Sequence, residues 1–201
     1  MAAVKLTKTE LKRQKDALKR FRRYLPTLIL KKQQLQMVIR QLEGRLADET
    51  RKRKELSHGA ASWLDLFAEP FPFQDWLRVK SVQTESANVA GVEIPVFKSM
   101  DFITTSHDLF MTPPWVDGAL SLFARLARFD VEIGLLQKQV SLLAAELRVT
   151  SQRVNLFEKV KIPEAIESIR KINIYLGDQQ TAAVVRGKIA KKNLLQRVGT
   201  P

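Results

Sequence analysis

Apolar residues recur every seven positions along two rows of the stretch 119–157. Eleven of the twelve row positions are apolar, a spacing typical of the a and d positions of a coiled coil. The first row is Ala119, Leu126, Ile133, Val140, Leu147 and Val154, and the second is Leu122, Phe129, Leu136, Leu143, Thr150 and Phe157. Such a seam is buried only against another helix, so the sequence predicts a helical partner.

The N-terminal stretch 4–56 carries a matching seam. One row is Val4, Leu11, Leu18, Leu25, Lys32, Ile39 and Leu46, and the other is Phe21, Leu28, Leu35, Leu42 and Leu56. Pro26 lies inside this stretch, where proline removes one helical hydrogen bond. Because the heptad phase is the same before and after Pro26, one continuous, kinked helix is favoured over two helices.

A segment of different character separates the two seams. The first helix is predicted to end at His58-Gly59, and aromatic residues and prolines are then concentrated between Trp63 and Trp76. The second long helix is predicted to begin after Pro113-Pro114, because proline fits the start of a helix.

A β-hairpin is predicted inside this segment. Two β-prone stretches, 77–84 and 92–97, flank residues 86–91, where asparagine and glycine suit the positive φ of a turn. Pro95 restricts the second strand to a sheet edge. A further short strand or loop is predicted at 102–110.

The seam changes phase beyond Phe157. A new apolar stripe, offset by one residue from the old heptads, consists of Ile162, Ile166, Ile169, Ile172 and Leu176. Pro163 stands at the change, so the helix is predicted to bend or restart there.

Together these patterns predict a mainly α fold: a long antiparallel two-helix coiled coil with a small central lobe that contains the β-hairpin. The predicted domains are an N-terminal coiled-coil helix at 1–58, the lobe at 59–115 and a C-terminal coiled-coil helix at 116–201 that is broken near Pro163. Two helices at opposite ends of a chain pair only if the chain doubles back.

Charge follows the same three-part division. The 201 residues carry a net charge of +13, with 17 basic against 6 acidic residues in 1–56, 3 against 7 in 57–115, and 14 against 8 in 116–201. Both ends are basic and the middle is acidic. This split indicates that the two ends lie together in one electrostatic environment and the middle lies in another. The chain has no cysteine and no apolar run long enough for a membrane helix, so a cytoplasmic protein without a disulfide framework is expected.

Candidate catalytic chemistry is absent from the sequence. His58 and His107 have no metal-ligand spacing, and no phosphate-binding loop or nucleophile motif is present. We therefore expect no enzyme activity in this chain and no cofactor or metal.

Basic stretches leave another function open. The run 51–54 (RKRK) and the basic residues of 12–23 could follow a nucleic-acid backbone, although a solvated helix face is the commoner explanation. The aromatic residues lie in the acidic middle instead of among these cations, unlike a single-strand binder. A basic coiled-coil arm or scaffold that binds nucleic acid, and a self-associating scaffold, remain alternatives.

Particular residues resemble the D subunit of the vacuolar and archaeal-type (V/A-type) rotary ATPases, bacterial members included. The signature is an Arg-Val-Asn stretch followed by Glu and Ile-Pro, and the residues that carry it here are Arg153, Val154, Asn155, Glu158, Ile162 and Pro163. The N-terminal stretch 24–28 (YLPTL), the hairpin stretch 88–95 and the lysine-rich end 188–192 are similar to the family as well.

The resemblance implies a non-catalytic central-stalk rotor shaft that couples ATP hydrolysis or synthesis to the rotation of a membrane ion-translocating ring. Its implied partners are the ring of A and B subunits, the F subunit and the membrane-side C/d socket subunit, with the complex peripheral to the membrane. Contacts with the A/B ring are expected from a basic tip. The residues of this tip are Lys12, Arg13, Lys15, Lys19, Lys188, Lys191 and Lys192.

Overall fold

A computed structural model describes residues 5–60, 76–105 and 112–198 of the chain. The elements in chain order are α1 (Lys8–Gly59), β1 (Leu77–Val89), β2 (Val92–Thr104), α2 (Val116–Leu156), a π-helical turn (Phe157–Lys161) and α3 (Ile162–Val198). The predicted mainly α fold with a β-hairpin between long helices is confirmed. Val4, His107, the aromatic stretch before Trp76 and residues 106–110 lie outside the described residues.

The ends of the long helices follow from local chemistry. The Glu10 amide donates a hydrogen bond to Thr7 Oγ1 at 3.2 Å, as expected when a capping threonine stands three residues before a glutamate. α1 then continues through Pro26 as one helix and ends at Gly59, as predicted. α2 begins at Val116, two residues after the proline pair, where the Val116 amide donates to the Pro113 carbonyl at 3.1 Å.

The chain divides into two compact units, which are described separately. The terminal unit consists of Met1–Leu30 and Thr150–Pro201, and the central unit of Lys31–Val149. The three domains expected from the sequence stay a prediction.

The core of the central unit joins α1, α2 and the hairpin. Its buried members are Leu35, Ile39 and Leu42 of α1, Leu143 of α2 and Ile94 of β2. All of the helical members belong to the predicted seam rows. The core therefore forms where the two seams meet and the hairpin covers them from one side.

Ion pairs show that α1 and α2 are antiparallel in this unit. Lys31 Nζ lies 2.6 Å from Glu146 Oε1, and Arg53 Nε lies 2.5 Å from Asp130 Oδ1. The residue number rises along α1 while that of its partner on α2 falls. This is the antiparallel pairing that the sequence predicts.

The hairpin is longer than the sequence predicts. Each strand has 13 residues, and Val89 pairs with Val92 across a two-residue turn. Ala90 (φ 51°) and Gly91 (φ 82°) both have positive φ, as a tight hairpin turn requires. Asn88 does not adopt positive φ, and its side-chain oxygen Oδ1 accepts a hydrogen bond from the Gly91 amide at 3.0 Å. Residues 86–89, which the sequence assigns to the turn segment, belong to β1.

Phe102 belongs to β2 in this longer hairpin and not to a separate strand. β2 has a single neighbouring strand among the described residues, so Pro95 lies on an edge strand as predicted.

The terminal unit pairs the start of α1 with the helical stretch after Thr150. The rings of Phe21 and Phe157 lie 5.3 Å apart, and the row residues Thr150, Val154 and Ile172 are almost fully buried. In both units, every described position of the predicted rows 11–56 and 119–157 is buried or half-buried. The apolar rows are thus internal structure.

The predicted phase change is a π-helical turn. The Ile162 amide donates to the Phe157 carbonyl, five residues earlier, so one additional residue is accommodated within the helix. After the turn the buried positions are Ala165 and Ile172, with Ile162, Ile169 and Leu176 half-buried. Ile166, which the sequence places in the new stripe, is 45% exposed, and Ala165 takes its place in the seam.

Leu143→Ala is expected to destabilise the chain by about 2–5 kcal/mol, because it leaves a cavity at a fully buried seam position. Urea unfolding followed by circular dichroism measures this change. Met37→Ala, at a position of α1 that is 57% exposed, is the control and should change the free energy of unfolding by less than about 0.5 kcal/mol. Equal effects of the two substitutions would contradict the assignment of the seam.

Candidate functional site

The C-terminal half of α3 continues beyond the paired part of the terminal unit. A groove between α1 and α3 is lined by residues from Leu6 to Phe21 on one side and from Lys161 to Lys171 on the other. Beyond Leu176, every described side chain up to Leu194 is exposed except that of Ala182, which is half-buried. We call residues 173–194 the terminal helix, and it extends about 33 Å at 1.5 Å per residue.

The terminal helix exposes large apolar side chains. Ile174, Val184, Val185, Ile189 and Leu194 are each between 50% and 62% exposed. Because successive residues of an α-helix are about 100° apart, Val184 and Val185 cannot share one narrow stripe. Ile174, Val184, Val185 and Ile189 fall within about 140° of the helix circumference, a broad apolar face of the kind that packs against another element.

The lysines of the predicted tip lie on this helix and on α1. Lys188, Lys191 and Lys192 are exposed, as are Lys12, Arg13, Lys15 and Lys19. Arg13 forms a long ion pair with Glu10 at 3.8 Å. In the described part of the chain, no carboxylate forms an ion pair with Lys188, Lys191 or Lys192.

The structure separates the two groups of basic residues along the helix axis. The α1 group lies in the paired part of the terminal unit, whose last lining residue on α3 is Lys171. Lys188 is 17 residues further along α3, or about 25 Å at the helical rise. The predicted tip is therefore two basic zones, of which only the second is on the terminal helix.

The residues of the family signature surround the π-helical turn. Val154 is buried in the seam and Ile162 is half-buried, whereas Arg153, Asn155, Glu158 and Pro163 are exposed. Two of the six therefore maintain the packing, and four form an outer surface next to the irregular turn. The exposed position of Asn155 fits a solvated side chain or a contact with another protein.

The basic run at 51–54 is largely neutralised by neighbouring carboxylates. Arg51 pairs with Asp48 and Glu55, and Lys52 pairs with Glu49 at 2.7 Å. The hydrogen bond that Lys52 donates to Glu49 raises the pKa of Lys52, and the bond that Arg53 donates to Asp130 raises the pKa of Arg53. These cations stay charged at neutral pH, but each already donates a hydrogen bond to a carboxylate, which disfavours a phosphate-binding role.

The hairpin is held on α2 by specific contacts. Gln139, which is 4% exposed, donates a hydrogen bond from Nε2 to the Pro95 carbonyl at 2.5 Å. The Arg128 guanidinium lies 5.4 Å from the centre of the Phe97 ring and is 3.0 Å from Glu132. β2 has one neighbouring strand among the described residues, and the side chain of Gln139 supplies a donor to this edge strand from α2.

The described ranges contain neither a membrane-spanning helix nor a metal-ligand cluster. No helix within them combines the length and apolar character needed to cross a membrane. Within the same ranges, no three histidine, cysteine or acidic side chains are grouped so that they could hold a metal ion.

A family model for the D subunit of ATP synthase matches residues 10–192. The chain belongs to this family. The D subunit of the V-type ATP synthase of Borreliella burgdorferi is 53% identical over 197 residues, which cover 98% of each chain. The corresponding proteins of Chlamydia abortus and Chlamydia pneumoniae are 34% and 32% identical, over 96% and 95% of this chain and 95% and 93% of their own.

Membership of this family makes the chain a component of a rotary ATPase complex. The signature 153–163 and the similar stretches 24–28, 88–95 and 188–192 all lie within the matched residues. The sequence does not predict the contact of Gln139 with Pro95, because a glutamine beside the seam of a helix gives no sign of an acceptor that is distant in sequence. The π-helical turn was signalled by the one-residue offset.

Replacing Gln139 with alanine is expected to weaken the docking of the hairpin, because the Pro95 carbonyl loses its donor. The cost should be about 0.5–1.5 kcal/mol. Hydrogen exchange of the β2 amides measures it and should become several-fold faster. Gln137→Ala, an exposed change two residues earlier, is the matched control, and similar exchange in both variants would argue against the contact.

Proposed function

We propose that this chain is the central-stalk rotor shaft of a V/A-type rotary ATPase or ATP synthase. The observation that carries the proposal is the terminal helix, which exposes a broad apolar face and carries three lysines that no carboxylate of the described residues pairs with. An exposed apolar surface rimmed by polar residues marks a contact with other protein. The ring of A and B subunits is the proposed enclosure, and the role of the chain is non-catalytic.

The paired helices suit the transmission of torque. Each unit buries its seam rows between antiparallel helices, so bending one helix requires deforming its partner as well. The outer surface is left for contacts that differ from one side to another. Such differences are what allow one shaft to favour different states at three otherwise equivalent interfaces.

The energy that coupling requires is modest. Shifting one A/B interface from 1:99 to 99:1 needs a differential contact energy of about 5.5 kcal/mol. Exposed ion pairs contribute about 0–1 kcal/mol each, so several lysine contacts together with apolar contacts can supply this energy. Weak individual contacts also break readily when the shaft turns to the next interface.

The F subunit and the C/d socket subunit complete the proposed set of partners. The complex would hold this chain peripherally, on the cytoplasmic side of the membrane. The exposed surface of the signature residues Arg153, Asn155, Glu158 and Pro163 is available for these partners. A nucleic-acid-binding arm is less well supported, because three of the four cations of the run at 51–54 are paired with carboxylates.

The triple change Lys188→Glu, Lys191→Glu and Lys192→Glu is expected to reduce ATP-driven rotation by about tenfold or more, which corresponds to about 1.4 kcal/mol. The measurement uses the complex reconstituted with the A, B and F subunits. The control is the equal charge change Lys54→Glu, Lys138→Glu and Arg148→Glu at exposed positions of the central unit. Unchanged rotation and unchanged affinity for the A/B ring would refute the role of these lysines.

Ile189→Asp separates a partner contact from a role in folding. Ile189 is 54% exposed, so the free chain should keep its stability to within about 0.5 kcal/mol. Assembly with the A/B ring should be weakened at least tenfold, because the charge would enter an apolar enclosure. Titration of the A/B ring with labelled chain measures the affinity, and equal affinity of both forms would contradict the enclosure.

A further inference from the structure

Both helices of the terminal unit are irregular at neighbouring levels. The rings of Phe21 on α1 and Phe157 at the start of the π-helical turn are 5.3 Å apart and mark one level. Pro26 is five residues further along α1, or about 7.5 Å at the helical rise. Because the helices are antiparallel, this distance places Pro26 beside the end of α2, adjacent to the π-helical turn.

The irregularity of α1 is a missing hydrogen bond. Pro26 has no amide hydrogen, so the carbonyl four residues earlier, that of Arg22, loses its helical donor. Next to it, Thr27 Oγ1 donates to the Tyr24 carbonyl at 2.8 Å. Threonine bonding of this kind competes with the helical ladder and often accompanies bends.

The irregularity of the opposite helix is an additional residue. The seam residues Val154 and Ile162, and likewise Phe157 and Ala165, are separated by eight positions instead of seven. The π-helical turn absorbs this residue and returns both rows to the partner helix. Pro163 follows at once and contributes no amide hydrogen, so the turn lacks a further donor.

We propose that Pro26 and the π-helical turn together form a compliant joint in the helix pair. A pair of helices resists bending because each supports the other. Where the hydrogen bonds of one helix are interrupted, an intact partner helix still keeps the pair straight. Here the hydrogen bonds of both helices are interrupted within about two turns of each other, so neither helix keeps the other straight at this place. The apolar rows continue through the joint, which keeps the helices paired while the backbone yields.

The mechanical consequence rests on the proposed function as a rotor shaft. A compliant section between the terminal helix and the rest of a shaft would store energy elastically when one end advances before the other. The local weakness of the ladder, by contrast, is a property of the chain alone. The two statements are therefore tested separately.

Hydrogen exchange of the full chain tests the joint without any partner. Amides of residues 158–164 and of 22–28 should exchange at least tenfold faster than those of the flanking helices at 150–155 and 12–18, because local opening is easiest where the ladder is weakest. Equal protection of joint and flanks in the wild-type chain would overturn the proposal.

A straightened variant tests the cause. Deletion of exposed Lys159 together with Pro163→Ala restores spacings of seven in both rows, so the π-helical turn should become α-helix and the fast exchange at this site should disappear. Lys159→Ala is the matched control, because it removes the side chain but keeps the additional residue, and it should exchange like the wild type. Pro26→Ala is a second variant that alters no spacing and should slow exchange only around 22–28, so the proposal is still tested if the deletion variant does not fold.

The role in the shaft is tested in the complex with the A, B and F subunits. Angular fluctuations of a bead fixed to the rotor, recorded while the ring is arrested, should fall about twofold in variance in the straightened variant and stay unchanged with Lys159→Ala. Unaltered fluctuations in the straightened variant would overturn the elastic role. Failure of the wild-type chain to assemble would count against the proposed function instead, while the exchange experiment would still decide on the joint.

Discussion

The structure depends on the requirement that two apolar rows keep facing the partner helix over many turns. An α-helix has 3.6 residues per turn, whereas the rows repeat every 3.5, so any extra residue would rotate the following side chains out of the seam by about 100°. The chain contains such a residue between Val154 and Ile162. The π-helical turn accommodates it, and Ala165 and Ile172 are buried as a result.

Because the seams bury their own rows, interactions with other proteins are left to the outward faces. These faces differ along the chain. In the central unit the hairpin covers one side of the helices and is held by Ile94, by the bond from Gln139 and by the contact of Arg128 with Phe97. In the terminal unit the terminal helix has large apolar side chains that nothing among the described residues covers. A family of complex-forming proteins accounts for such a surface better than a monomer does.

The electrostatics of the chain are set by which cations have partners. Arg51, Lys52 and Arg53 are paired with carboxylates of α1 and α2, so three of the four cations in the densest basic run of the sequence already have a partner. Lys188 and the two lysines that follow it are not paired with a carboxylate of the described residues. A net charge is thus a poor guide to a binding surface, because the neighbours three and four residues away on a helix decide which charges remain available.

Hydrophobic periodicity determined the helices, the passage of α1 through Pro26 and the offset after Phe157, since side-chain spacing along a helix is a local property. The antiparallel pairing followed from the place of the two seams at opposite ends of one chain, which meet only if the chain doubles back. The signature around Arg153 and Pro163 determined the family. Tertiary structure decided the length of the hairpin, because residues 86–89 form strand only when β2 pairs with them and Ala90-Gly91 supplies the turn. It also decided that Ala165 and not Ile166 enters the seam, because the π-helical turn sets the angle of each residue about the helix axis. It decided that Gln139 reaches Pro95 and that the two basic zones are separate, because these depend on where residues distant in sequence lie relative to one another.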